Sequence, residues 1–389
     1  MIKAFFRSRE WALYAYGGAA FLLASLYLQV QMSVAINEWY GGFYNLLQQA
    51  VKYKQNPEVG VTIFYQKLFS LDYIANGFGG APSFSVIAIP YVILATATAY
   101  FTQRYGLWWR EAITFNYIPQ WRNVTHEIEG ASQRIQEDAN RFARIVESLG
   151  LQVVRALMTL IAFLPLLWYL GQFVESPIFA GSVAKFQDVR GIIDPSQVDG
   201  VRFVFIEGLN QKGQRLIEVT NNKYVPGLFV WATLVASLGG MVVSWFVGWK
   251  LPGLEYNNQV KEAAFRKELV FGEDNKRDYA SVPTLTELFI GVRSNYKRLY
   301  MHYGYFNIWM NTYDQFMIIV PYLLVGPSLF TGAVLLGIVV QVSNAFAKVH
   351  NSFALFIHNW TTITEVRSIF MRLTEFQANL DKHKHQATS

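Results

Sequence analysis

The chain has no cysteine in its 389 residues, which excludes a disulfide framework, a Cys-ligated metal centre and a thiol nucleophile. It is also short of charge. Asp, Glu, Lys and Arg make up 15% of it, against about 25% in soluble domains. No G-x-x-x-x-G-K-[ST] pattern occurs, so these residues offer no Walker-type phosphate cradle and no ATP site of that kind. No Ser-His-Asp or Cys-His set has a local signature, which argues against an enzyme. The histidines show no metal-ligand spacing: His302, His350 and His358 are scattered, and His383 and His385 lie in a polar tail. No metal and no bound cofactor are expected. The formal charge of +6 is not accompanied by any basic-aromatic nucleic-acid module, so nucleic acid is not an expected partner.

What the chain does have is long apolar runs. Hydrophobic residues reach 52% and aromatics 16%, and the mean hydropathy is +0.20. Residues 11–37, 73–103, 156–174, 224–249 and 315–347 contain no Asp, Glu, Lys or Arg, and 299–313 adds another such run up to Asp314. Each is long enough to supply a helix through a hydrocarbon core of roughly 30 Å. Splitting the last window at Val325-Gly326-Pro327-Ser328, where proline disfavours continued helix, gives six spans at about 11–37, 82–110, 152–174, 224–250, 299–322 and 329–350. The N-terminal run is too long for a signal-peptide core, so it is expected to be retained.

Six spans place both ends of the chain on one side of a membrane, and that side carries 24 Lys and Arg against 9 on the other. Both termini are therefore expected in the cytoplasm. The two basic connections are long and not rich in Gly, Pro or Ser, and they read as helices running on beyond the membrane and returning. In the first, Glu137 and Arg141 are four apart and Arg144 and Glu147 three apart, spacings at which opposite charges meet on one helix face. Residues 1–370 are expected to form the transmembrane domain, 371–389 a cytoplasmic polar tail, and 175–223 an extracytoplasmic insertion. Alternation on both sides of Asn210-Gln211-Lys212-Gly213 predicts a small β-hairpin in that insertion.

The acids are the chemical lead. Glu255, Glu262 and Glu273 are 7 and 11 residues apart, steps that return to within about 20° of one helix face. This column reads either as a solvated face, since Lys261, Arg266 and Lys267 lie beside it, or as a relay. Gly272 is a candidate interruption before Glu273. Asp314 lies deep in an apolar run, where a carboxylate is a functional hypothesis by default. Interfacial aromatic belts account for most of the tryptophans; Trp108, Trp109 and Trp360 are candidates for lining a cavity or meeting substrate.

EGASQRIQEDANRF at 129–142, MTLIAFLP at 158–165, KLPGLEYNNQVKEAAFRKELVFGED at 250–274 and NWTTITE at 359–365 strongly resemble the SbmA/BacA family of bacterial inner-membrane peptide transporters. A weaker match is AINEWYGGFYNLLQQA at 35–50. The resemblance implies an all-α, six-helix transmembrane domain of the ABC-exporter type, and SQRIQED at 132–138 is similar to the segment through which exporters meet their ATPase. It further implies a homodimer in the inner membrane that imports antimicrobial peptides and peptide-like antibiotics by alternating access, with protons as the coupling ion. Glu147, Glu255, Glu262 and Glu273 occupy the blocks that match the family's proton-coupling acids. The 175–223 insertion is longer than the family pattern. Two other readings stand beside this one: a permease subunit served by a separate ATPase chain, and a membrane enzyme acting on lipid or envelope precursors.

Overall fold

An apolar run that must satisfy its own N–H and C=O groups can do so within one segment only as a helix, and each charge-free run of this chain supplies most of its described residues to a helix. The computed structural model describes residues 2–124, 128, 130–172, 185–187, 202–209, 215–220, 227–275, 277–330 and 332–386. In order, the helices are α1 (Ile2–Phe6), α2 (Ala12–Gln48), α3 (Pro57–Phe69), α4 (Asp72–Ala75), α5 (Phe84–Arg122), α6 (Ala131–Gln133), α7 (Ala139–Gly171), α8 (Leu228–Gly248), α9 (Leu251–Asp274), α10 (Val282–Phe330), α11 (Leu336–His358) and α12 (Trp360–Gln386). A π-helical turn, Arg134–Asp138, joins α6 to α7. Among the described residues, five helical stretches are long and apolar enough to cross a membrane: Ala12–Gln48, Phe84–Arg122, Ala131–Gly171, Leu228–Glu273 and Val282–Phe330.

The sixth expected crossing, at 329–350, falls on α11 and is not among these five. Its 23 residues include Gln341, Asn344, Lys348, His350 and Asn351, which dilute its hydropathy. The helix break also comes later than the sequence suggests. α10 runs through Pro321 and Pro327 to Phe330, and the turn is made by Gly332 at φ +75°, the left-handed conformation that ends helices. Pro327 sits in the last turn, where its missing N–H removes a single bond. α10 spans 49 residues, roughly 70 Å of helix, so much of it stands outside any bilayer.

Within 175–223 the described residues form β1 (Lys185–Gln187), β2 (Arg202–Leu209) and β3 (Arg215–Thr220), ordered β1-β3-β2 with both pairings antiparallel. The turn residues at 210–213 lie outside the described residues.

The chain divides into two units, Met1–Leu234 with Val320–Ser389, and Val235–Ile319. In the first unit α11 packs on α7 and α2, and α2 packs on α5. The contact between α2 and α11 is backbone-close. The N–H groups of Leu336 and Gly337, unsatisfied at a helix start, donate to Gln48 Oε1 at 2.7 Å and Asn45 Oδ1 at 2.8 Å. A Cβ at Gly337 would collide with the Gly41 carbonyl and Asn45. Below this joint, Phe163, Leu167, Phe229, Val325, Val342 and Val349 form one apolar cluster.

A second cluster gathers the far ends of the helices. Phe5 of α1, Ile113 and Tyr117 of α5, Phe142 of α7 and Ile369, Leu373 and Phe376 of α12 are all buried in it. Burial of Phe5 alone contributes about 2–3 kcal/mol. Residues 371–386, expected as a polar tail, continue α12, and Leu373, Phe376 and Leu380 are buried. Beside this cluster Asp138, 1% exposed, accepts from Arg134 at 2.9 Å and from Arg372 at 2.8 and 3.1 Å. The carboxylate hydrogen bond pushes the Arg372 guanidinium further above its ordinary range. The expected i, i+4 pair Arg141–Glu137 forms at 2.8 Å. In the second unit, Asn295 Nδ2 donates to the Leu254 carbonyl at 3.1 Å and to Asn258 Oδ1 at 3.3 Å, tying α9 to α10.

Candidate functional site

Glu147 lies on the part of α7 that precedes the membrane crossing. α7 is 33 residues long, roughly 50 Å, and its uncharged part begins only after Arg155; Glu147 is eight residues earlier, on the charged stretch. Its carboxylate fills the space beside Gly106 of α5, where a Cβ would strike Oε2. A glycine at 106 thus makes the slot in which the acid is half withdrawn from water. Burial pushes its pKa from 4.5 up to about 7, with the charge of Arg144 pulling the other way. A carboxyl in this range binds and releases a proton near neutral pH.

The other acids belong to the second unit. α9 is helical to Asp274 without interruption, and Gly272, the candidate break, is buried with Ala280 where its side chain would be. Glu255 and Glu262 are half-buried on the face of α9 that carries Asn258 and Phe265, the side turned to α10, where Phe265 meets Phe289 at 5.7 Å. Glu273, at the end of the helix, is exposed. The expected column therefore comes down to two acids on the packed face and one in solvent. A neighbour unforeseen from the sequence is Glu268, which accepts from the N–H of Ala280 at 2.9 Å and holds that residue at φ +56°. Asp314 is half-buried, next to Tyr313, which donates to the Ala236 carbonyl at 3.0 Å.

The tryptophans part company. Trp109 is 8% exposed, stacked on Phe5 at 5.4 Å and edge-on to Phe142 at 6.0 Å. It fills the core instead of lining an open cavity, because α1 folds over it. Trp108 is half-buried, with the Arg104 guanidinium 5.4 Å from its ring centroid. The side chain of Trp360 lies outside the described residues.

One polar assembly has no local mark in the sequence. Arg155 Nη2 donates to Gln29 Oε1 at 2.8 Å, Gln29 Nε2 donates to Thr98 Oγ1 at 2.8 Å, and Thr98 donates to the Leu94 carbonyl at 2.6 Å. Gln29 and Thr98 are 2% and 4% exposed. Three helices, α2, α5 and α7, are thereby linked inside charge-free runs. A Gln in an apolar run was the signal available, and only the fold reveals its partners. Lys348 of α11 is close enough to feel the charge of Arg155.

The outward faces of α7 and α11 separate by polarity. On α7, Ser148, Gln152 and Arg155 are exposed at steps of four and three, one helix face, while the exposed Leu157 and Ile161 lie on the opposite side by the same 100° rule. On α11, Asn344, Lys348 and Asn351 form the accessible side. No large apolar side chain is exposed among its described residues.

Comparison with known proteins agrees with this architecture. A relative in Escherichia coli, the inner membrane ABC transporter ATP-binding protein YddA, is 22% identical over 91% of this chain and 55% of its own length. An uncharacterized ABC transporter ATP-binding protein of Synechocystis is 21% identical over 76% of the chain and 39% of its own length. The ABC transporter D family member 2, chloroplastic, of Arabidopsis thaliana is 26% identical over 56% of the chain and 32% of its own length. The chain spans about half or less of these relatives. The SbmA/BacA-like family model matches residues 8–218 and 202–381. The match shows that this chain belongs to the SbmA/BacA-like family, and its five apolar helical stretches make it a multi-pass membrane protein.

Proposed function

We propose that two copies of this chain form a homodimer in the bacterial inner membrane, both termini in the cytoplasm, which imports peptides by alternating access on the proton gradient. The carrying observation is the outward face of α11. A helix of 23 residues is long enough to cross a bilayer, yet its accessible side presents Asn344, Lys348 and Asn351, while Gln341 turns to α2 and donates to the Glu38 carbonyl at 3.4 Å. Each such group is costly against lipid. The face is accommodated if it borders water, and a second copy related by two-fold symmetry encloses that water without another gene product. α11 is then the sixth crossing, missed by composition because lipid is not what it faces.

Glu147, with a pKa of about 7 outside the crossing, is the leading proton carrier; Glu255 and Glu262, half-buried on one face of α9, are the next. The energetics are sufficient without ATP. One charge moving through 100 mV supplies about 2.3 kcal/mol, while tenfold accumulation of a peptide costs about 1.4. The names of the relatives favour one further reading, a permease half served by an ATP-binding partner.

Because the chain has no cysteine, single introduced cysteines test the water-lined face cleanly. Asn344→Cys is expected to react with a water-soluble, membrane-impermeant thiol reagent, and Leu157→Cys, on the opposite side of α7, is expected not to. Equal protection of both places α11 against lipid or protein and refutes the aqueous pathway.

A further inference from the structure

The pathway proposed above carries two cations that, among the described residues, form no ion pair with an acid. Arg155 of α7 and Lys348 of α11 sit on the polar stripes of adjacent, packed helices. Among the described residues the ion pairs involve Arg134, Arg141 and Arg372, and neither Arg155 nor Lys348 takes part in one. Arg155 is the last charge before the run 156–174, and Lys348 the first after 315–347.

Basic residues at span ends commonly snorkel to the headgroups. Arg155 does the reverse. Its guanidinium is turned to Gln29, which lies well inside the charge-free run 11–37 of α2. Gln29 cannot swing away, because its amide nitrogen donates to Thr98 and both residues are almost fully buried. The donors run in one direction, from Arg155 through Gln29 and Thr98 to the Leu94 carbonyl. That relay holds the guanidinium in place, and among the described residues Gln29 is its hydrogen-bond acceptor, which leaves N–H groups on the open side for a ligand. A guanidinium offers five donors in a planar fork that matches a carboxylate, and an ammonium adds a compact charge beside it.

We infer that Arg155 and Lys348 together bind a carboxylate of the transported peptide, its C-terminal group above all, and so set both affinity and orientation in the pathway. The inference rests on the importer reading. A lipid phosphate has the same anionic chemistry, but lipid would approach the apolar side of α7, where Leu157 and Ile161 are 52% and 75% exposed. The cations are on the other side.

The test uses the purified full chain in detergent and a short fluorescent peptide in two forms, free C-terminal carboxylate and C-terminal amide. Binding is read by anisotropy, with uptake into proteoliposomes measured in parallel. Charged hydrogen bonds of this kind are expected to give the acid an advantage of at least about tenfold over the amide. Arg155→Gln and Lys348→Gln are each expected to bring the acid-to-amide ratio close to one, while Lys348→Arg keeps the preference and controls for folding. Equal binding of acid and amide by the wild-type protein, with uptake intact, overturns the inference and leaves the importer reading standing. A preference that survives Arg155→Gln/Lys348→Gln overturns it as well. So does binding of anionic-lipid vesicles that depends on the two cations while peptide binding does not. Absence of both binding and uptake refutes the importer reading and this inference with it.

Discussion

Asp138→Asn removes the charge at the joint between the start of α7 and α12, and its effect follows from the geometry. The carboxylate side chain is 2% exposed and is held by Arg134 at 2.9 Å and Arg372 at 2.8 Å. Removing one partner of a buried ion pair costs about 3–5 kcal/mol, because the remaining charge is left uncompensated. Here the two guanidinium side chains are 26% and 36% exposed, so water recovers part of their solvation, and a loss of about 2–3 kcal/mol is expected. The damage is local. α12 is fastened at this point to the cluster containing Tyr117, Ile135 and Phe142, so the variant protein should release α12 before it unfolds as a whole. Limited proteolysis is the assay, with cleavage near Arg367 and Arg372 appearing in Asp138→Asn and thermal unfolding in detergent shifted down by several degrees. Arg372→Met alone leaves Arg134 on the aspartate and should cost less; Asp138→Leu with Arg134→Met and Arg372→Met removes all three charges and should recover most of the stability. Equal stability of Asp138→Asn and wild type refutes the reasoning.

Glu147 should make stability depend on pH. Its carboxyl is raised in the fold from 4.5 to about 7, so the neutral form is the one the fold favours: that contribution is fully present below about pH 4.5 and is lost as pH rises through about 7. Glu147→Gln, neutral throughout, should gain on wild type across this window, by about 3 kcal/mol if the shift is taken whole and roughly half that after solvent screening; unfolding midpoints at pH 5 and pH 8 check the sign. Gly106→Ala should push the Glu147 carboxylate out of its slot and flatten the same pH profile with the acid still present. Gly337→Ala should weaken the α2–α11 joint by about 1–3 kcal/mol, as overpacking does, because backbone and Asn45 occupy the space; thermal unfolding in detergent would show it. Finally, Gln211→Cys should be labelled by an impermeant reagent from outside intact cells and Gln133→Cys should not, since the basic residues divide 24 to 9 between the two sides.

Long-range order was legible where it depended on a single helix. The charge-free runs became α2, α5, α7, α8 and α10 because apolar composition and backbone satisfaction coincide there. α11 was legible as the second half of the charge-free run 315–347, although its Asn and Gln side chains keep its hydropathy below that of the other crossings. Pro327 misled by three residues because proline near a helix end costs little. The acids were visible as residues, but their surroundings were not. Whether Glu147 faces water depends on a glycine 41 positions earlier at Gly106, and whether Glu273 joins Glu255 and Glu262 depends on where α9 stops. Trp109 read as a cavity residue because nothing in MIKAFF announces that Phe5 will cover it. Gln29, Thr98 and Arg155, each unremarkable alone, lie 69 and 126 positions apart in their bonded pairs, beyond the reach of any local pattern.

The central claim is that proton movement, without ATP, drives peptide import through this chain. The measurement that meets it most directly is uptake of a labelled peptide by proteoliposomes containing only this protein, with and without an imposed inward proton gradient. The account predicts accumulation that begins when the gradient is applied, collapses with a protonophore, and is lost in Glu147→Gln while expression and dimer formation persist. Accumulation indifferent to the gradient, or appearing only when an ATP-binding chain and ATP are supplied, contradicts it.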